Sequence, residues 1–447
     1  MKVEAIGKET IKPSSPTPND LRTVKLSVYD QFLPPVYTVS VLFFSNSCRH
    51  DQTQREGPMF SEHDTSLKLK SSLSETLTRF YPLSGRINDG GDAIDCNDEG
   101  AVFVDARSDS TLLDFLKSPD FAALQRFLPL DTVENPYESA ATWPLLLVKA
   151  TYFKCGGLAI GICISHKIAD AASISMFVRG WAATARGDSD SATYPEFTAA
   201  KFFPPASEST RFSGKITLDR KICATKRFVF DGSKIAELRR KVASGDVAEP
   251  TRVESITGLL WKCVVTASNS VSEKLLSKVL NQPVNLRGKV PSLLSENVMG
   301  NVMYSSMPLM IDGQGEVEIQ DAVKDLRRKA DELKRFIRDD GGSSLIGTKM
   351  VDLILSNISG LSYETHEPYS VSSWCKLPLY EADFGWGSPA WVTGNVAPAL
   401  DNLMILIDSK DGAGVEAWVT LPEQVMLSFE QNAELLAFAC PNPTVSV

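Results

Sequence analysis

A histidine stands four residues before an aspartate in the segment His166-Lys167-Ile168-Ala169-Asp170, at a point where the hydrophobic period of the chain changes. An imidazole titrates near working pH, so it can take a proton from an alcohol and return it within one turnover. A histidine at a strand end equally suits a structural hydrogen bond within its loop. Asp170, directly before a helix, is on spacing alone a natural N-cap that accepts an amide hydrogen bond from the first turn.

The elements around this pair are legible. Leu158, Ile160, Ile162 and Ile164 alternate with Ala159, Gly161 and Cys163, the pattern of a strand buried on both faces that stops at Ser165. From Ala171, Ile174, Phe177, Val178 and Trp181 recur at three- and four-residue spacing, the apolar stripe of a helix ending near Arg186. His166 therefore sits between a buried strand and a helix, where its backbone is fixed on both sides.

H-x-x-x-D alone is a weak pattern. Asp383-Phe384-Gly385-Trp386-Gly387 and Phe80-Tyr81-Pro82-Leu83-Ser84-Gly85-Arg86 add two more segments in a fixed order. Together the three resemble H-x-x-x-D, D-F-G-W-G and Y-P-L-A-G-R of the BAHD acyltransferases, plant enzymes that move an acyl group from coenzyme A to an alcohol or amine. The resemblance runs from Ile11 to Trp418 and is nearest the branch with vinorine synthase and the alcohol acyltransferases. It implies an α/β fold of two similar-sized chloramphenicol-acetyltransferase-like domains, with mixed β-sheets flanked by helices and a tunnel between them. The domains are expected at 1–186 and 221–447, joined by a Ser-, Pro- and Asp-rich crossover linker over 187–220.

The resemblance also implies roles. His166 is the general base, Ser372 and Trp374 face the oxyanion, and Asp170 pairs with Arg287 as a structural bridge. Asp383, Gly385 and Gly387 form a structural corner. Thr251, Arg252, Ser255, Lys289 and Ser373 lie on the coenzyme A side, and Pro34, Val36, Tyr37 and Thr38 line the acceptor pocket. Read without it, Trp374 is a buried aromatic in a strand, Arg252 a solvated charge, and Pro82 the end of a helix carrying Leu69, Leu73, Leu77 and Phe80. Gly385-Trp386-Gly387-Ser388-Pro389-Ala390 formally fits a dinucleotide fingerprint, but Pro389 and the extended Trp391-Val392-Thr393 deny it the helix such a site needs.

Composition bounds the partners. A chain of 447 residues with a net charge of -9 lacks the basic surface that nucleic acid or an anionic membrane demands. It has no run of about 20 apolar residues and no apolar leader, so neither a membrane span nor a signal peptide is expected. Eight scattered cysteines read as reduced thiols of a cytoplasmic protein, and four scattered histidines give no metal site. The expectation is a monomeric O-acyltransferase without prosthetic group, with acyl-CoA, acetyl-CoA first, as co-substrate and a small-molecule alcohol of plant specialised metabolism as acceptor. An N-acyltransferase acting on an amine, a covalent route through Cys163, and a non-catalytic binding protein of the same fold are the alternatives.

Overall fold

The computed structural model describes residues 1–45, 61–130, 143–188, 193–205, 222–271, 276–290, 293–305, 309–313, 315–358, 361–394, 396 and 400–446. Two large mixed sheets organise it. The first runs, in spatial order, Val3–Ile11, Ala101–Ser108, Leu146–Phe153, Leu158–Ser165, Tyr37–Phe44 and Trp391–Val392. The second runs Leu309–Ile311, Ser277–Asn281, His366–Ser373, Leu403–Asp408, Val415–Pro422, Cys223–Phe230 and Cys440–Pro441.

Strand Leu158–Ser165 is buried at all eight positions, which is why its sequence is a continuous apolar run rather than a half-polar alternation. Antiparallel neighbours on both sides fix its register: Ile164 lies opposite Leu146 on one side and Thr38 on the other. The helix that follows spans Ala171–Arg186, with Asp170 as N-cap and Gly187 in the left-handed C-cap. Its face carrying Ile174, Phe177, Val178 and Trp181 is sealed in the first core, and Trp181 Nε1 donates to Ser72 Oγ at 3.0 Å on the helix Glu62–Arg79.

Alternation along the second sheet divides its side chains between two cores. Tyr369, Val371, Met404, Leu406, Ala417 and Val419 pack with the helices Arg252–Val271 and Ile319–Asp340. Trp374, Ile405, Ile407 and Trp418 join the core of the first sheet instead. The inner face of the second sheet is thus the wall against which the first domain is built.

The two halves expected at 1–186 and 221–447 also share a strand. Trp391–Val392 leaves the second half to pair with Phe43 and Leu42 of the first sheet, and Trp391 stacks on Phe43 with centroids 5.4 Å apart. Two residues carry no periodic signal, so this crossing could not be read from the sequence. Of the expected linker, 189–192 and 206–220 lie outside the described residues. The part between them is docked: Glu196 exchanges backbone hydrogen bonds with Asn297 and Met299 at 2.9 Å, and Phe202 and Phe203 are buried with Leu286 and Val298.

Candidate functional site

The ladder of the central strand runs on one residue past its end, because the His166 N–H donates to the Val36 carbonyl at 2.8 Å. The chain then turns, with Ile168 N–H on the Ser165 carbonyl at 3.1 Å, and Lys167 is turned aside onto the Gln31 carbonyl at 2.8 Å. His166 is half-buried, and its Nδ1 is sealed from solvent. Burial lowers the imidazole pKa from its ordinary 6.5, against the pull of its own main chain and of Asp170, Asn301 and Asp30. The ring is therefore neutral at neutral pH, the state a base requires.

Asp170 does not reach that ring. Its Oδ1 accepts the Ser173 N–H at 2.9 Å, and its Oδ2 accepts Arg287 Nη1 at 2.8 Å and the Val302 N–H at 3.1 Å. All five guanidinium N–H groups of Arg287 are used, the others going to Asn285 Oδ1, Ser173 Oγ and the carbonyls of Val298 and Gly300. Burial alone would raise the Asp170 pKa, but the Arg287 charge and these donors hold it below the ordinary 3.8. The aspartate is cap and domain bridge at once.

Residues 300–302 fasten the second domain to this corner. Gly300 N–H donates to Ser173 Oγ at 3.1 Å, Asn301 donates to Asp30, and Val302 donates to Asp170. Gly300 has φ +133°, and a Cβ there would come within 2.8 Å of the Ala199 Cβ, so the position excludes larger residues twice over. Asp30 and Asn301 were not singled out by sequence. The capping pattern Ser27-x-x-Asp30 was visible, but nothing in the sequence ties Asp30 to a residue 271 positions away.

On strand His366–Ser373, Ser372 shares a face with Trp374, which lies in the core of the first domain, and Ser373 points the other way toward Cys375. Neither Ser372 Oγ nor Trp374 Nε1 has a hydrogen-bond partner among the described residues. The residues expected on the acceptor side abut His166, since the Val36 carbonyl accepts the His166 N–H and Tyr37 pairs with Ser165. One correction applies here: the Tyr37 phenol is not free, because it donates to the Pro144 carbonyl at 2.7 Å and its ring stacks on Trp143. Thr38, buried, is left as the hydroxyl of that lining. Two cavities, of about 340 Å³ beside Arg107 and Lys154 and about 80 Å³ beside Gln282 and Lys329, are not lined by His166.

The expected anion site at the start of helix Arg252–Val271 is corrected in part. Thr251 and Glu254 form a reciprocal cap, with Glu254 N–H on Thr251 Oγ1 at 3.2 Å and Thr251 N–H on Glu254 Oε2 at 2.7 Å. Arg327 clamps the same carboxylate at 2.7 and 2.8 Å, so a negative charge already occupies the helix end. Ser255 is fully buried and its hydroxyl is spent on the Thr251 carbonyl at 2.9 Å. Arg252 is paired with Asp408 at 2.7 Å. Lys289 is exposed and has no ion pair among the described residues; desolvation lowers its pKa, Glu296 acting against and Lys376 with it. Lys376, held in a left-handed conformation at φ +67° with its N–H on Asp408 Oδ2, is a second ammonium of this corner without an ion pair among the described residues, and no sequence signal marks it.

Asp383 Oδ1 collects the N–H groups of Gly385, Trp386 and Gly387 at 2.7 to 3.0 Å, and Phe384 packs edge-on against Phe44 and Trp181 of the first domain. Gly385 at φ +101° and Gly387 at φ +98° let three amides converge on one oxygen.

His166 thus stands, half-buried and with Nδ1 sealed, at the end of the central strand of the first sheet, beside a corner that residues of the second half close. A model of the transferase family matches residues 1–436. The chain is 42% identical over 459 residues to BAHD acyltransferase BIA1 of Arabidopsis thaliana, covering 99% of each, and 34% identical over 457 residues to a limonoid 21-O-acetyltransferase of Melia azedarach, covering 100% of each. The crystal structure of vinorine synthase matches with a TM-score of 0.81 at 31% identity, over 100% of both chains. The chain belongs to the BAHD acyltransferases, and it is an acyltransferase enzyme.

Proposed function

We propose that the enzyme transfers an acyl group, acetyl in the first place, from acyl-CoA to a hydroxyl of a plant specialised metabolite. The observation that carries this is the half-buried His166 ring, sealed at Nδ1 and set beside the Asp170–Arg287 bridge, in a chain whose relatives include a limonoid 21-O-acetyltransferase. Nε2 takes the proton of the acceptor hydroxyl as its oxygen attacks the thioester carbon. The carbonyl oxygen becomes an oxyanion facing the Ser372 hydroxyl and the Trp374 indole N–H, donors that in such a place lower a barrier by about 3–4 kcal/mol. Collapse of the tetrahedral intermediate breaks the C–S bond, and the thiolate of coenzyme A takes the proton back from the imidazolium.

Lys289 and Lys376 are the groups left to meet the phosphates of the donor, with Arg252 fixed beside them through Asp408. Acceptor and donor reach His166 through a tunnel along the domain seam, the acceptor beside Pro34, Val36 and Thr38. The enzyme works as a cytoplasmic monomer, and among the described residues no helix is long and apolar enough to cross a membrane. A screen of acyl-CoA donors against plant alcohols, read by mass spectrometry with His166→Ala in parallel, tests the reading. Ester products that vanish in the variant are expected; no product from any pair, or equal product from His166→Ala, overturns it.

A further inference from the structure

Helix Ile319–Asp340 buries five apolar residues and one charged one, Lys329. Lys329 lies three residues after Leu326 and four before Leu333, so it stands within the inward apolar stripe, and it is 8% exposed. A charge in such a place is ordinarily paired. The carboxylates around it are taken: Arg328 holds Asp325 and Glu332 at 2.9 Å each, and Arg327 holds Glu254 at 2.7 and 2.8 Å. Lys329 has no ion pair or hydrogen bond among the described residues. Burial lowers its pKa from 10.5, with Arg328 adding to the shift and Glu332 and Asp325 opposing it.

Lys329 lines the cavity of about 80 Å³ between this helix and the ribbon formed by Pro283–Asn285 and Met303–Ser305. At about 15 Å³ for each water-sized group, that space holds about five, too few for a coenzyme or a plant metabolite. Tyr304, also on the wall, is buried, and its phenol has no hydrogen-bond partner among the described residues. Burial raises its pKa, so it meets a ligand as a neutral donor. Gln282 Nε2 donates to Thr257 Oγ1 at 3.3 Å and keeps a second N–H. Leu280, Val284 and Leu309 join Leu326 and Leu333 in making the rest of the wall largely aliphatic.

We propose that this cavity binds a short-chain monocarboxylate of the acetate or propanoate class, with its carboxylate on the Lys329 ammonium and the Tyr304 hydroxyl and its alkyl end on the aliphatic wall. One ammonium with neutral donors matches a single negative charge. Phosphate or sulfate would lose more hydration against those leucines than the two polar side chains replace. Glu254 shares the wall, but its charge is already balanced by Arg327. None of His166, Lys289 and Lys376 lines the cavity, and the inference does not depend on the transfer reaction.

Thermal melting of the full chain in rising sodium acetate, sodium propanoate and sodium chloride, at fixed pH and ionic strength, tests the site in wild type, Lys329→Met, Tyr304→Phe, Lys289→Glu and His166→Ala. The two carboxylates are expected to raise the wild-type Tm saturably, by about 3 °C at a hundredfold excess over Kd, while chloride does not. Lys329→Met should abolish the rise, Tyr304→Phe should weaken Kd severalfold, and Lys289→Glu and His166→Ala should keep the full rise. No saturable rise in wild type, an equal rise with chloride, or an undiminished rise in Lys329→Met overturns the proposal. A rise lost in Lys289→Glu or His166→Ala and kept in Lys329→Met places the carboxylate elsewhere and overturns it too. Should Lys329→Met not fold, calorimetric titration of propanoate into wild type and Tyr304→Phe decides, an equal Kd in the two contradicting the site.

Discussion

Replacing Asp170 by asparagine should destabilise the protein before it disables any chemistry. In the variant, the amide oxygen can still cap the helix by accepting the Ser173 N–H. The amide nitrogen then faces Arg287 Nη1 and the Val302 N–H, two donors that had bonded Oδ2 at 2.8 and 3.1 Å. Arg287 is 4% exposed, so its charge is stranded in the interior, at a cost of about 3–5 kcal/mol. With an unfolding entropy of about 2.1 cal/mol/K per residue over the whole chain, that cost corresponds to a fall in Tm of about 3–5 °C. Calorimetry of Asp170→Asn, Arg287→Met and the double variant reads both size and coupling. The double variant should be less destabilised than the sum of the singles, since removing both charges strands neither. An unchanged Tm in Asp170→Asn together with lost kcat would refute this reasoning and make Asp170 a group that touches substrate.

Three further outcomes follow from the same geometry. Lys289→Glu and Lys376→Glu should each raise the KM for acyl-CoA severalfold with the acceptor KM unchanged, while Arg252→Ala, which breaks a pair with Asp408, should cost stability more than donor affinity; steady-state kinetics in both substrates separates these. The kcat/KM profile should be flat at neutral pH and fall only below 6.5, because the depressed His166 pKa keeps the base unprotonated until acid is added. Stability should fall in the same direction in two stages. Below pH 6.5 the unfolded histidine binds protons that buried His166 resists, and further down, as pH passes the folded pKa of Asp170 below 3.8, its ion pair is lost; acid titration of Tm reads both.

The strand and helix that carry His166 were legible because each has a period of its own: eight sealed residues from Leu158 to Ser165, then a stripe ending at a glycine cap. The Asp170–Arg287 bridge was reached through family resemblance, since 117 residues separate the partners and spacing alone speaks only for the cap. Val3–Ile11 is an edge strand in which only Ile11 is buried, so it offers no apolar alternation to find. The helix start at Arg252 misled for a different reason: Thr251-x-x-Glu254 is a capping pattern, and the carboxylate that completes it fills the place assigned to a phosphate. Lys376, Asn301 and Asp30 acquire their setting from chain segments far apart in sequence, which no local pattern encodes.

The central claim is direct transfer with His166 as base and no acyl-enzyme. Cys163, three residues upstream, is fully buried between strands Leu146–Phe153 and Tyr37–Phe44, and burial pushes its thiol pKa far up, so it is neither a thiolate nor in reach of a thioester. The most direct measurement is the intact mass of the protein after incubation with acetyl-CoA alone, followed by addition of an acceptor. An unchanged mass at every time, with ester formed only once acceptor is present, is the predicted result. One acetyl group gained on Cys163 and discharged on adding acceptor would contradict it.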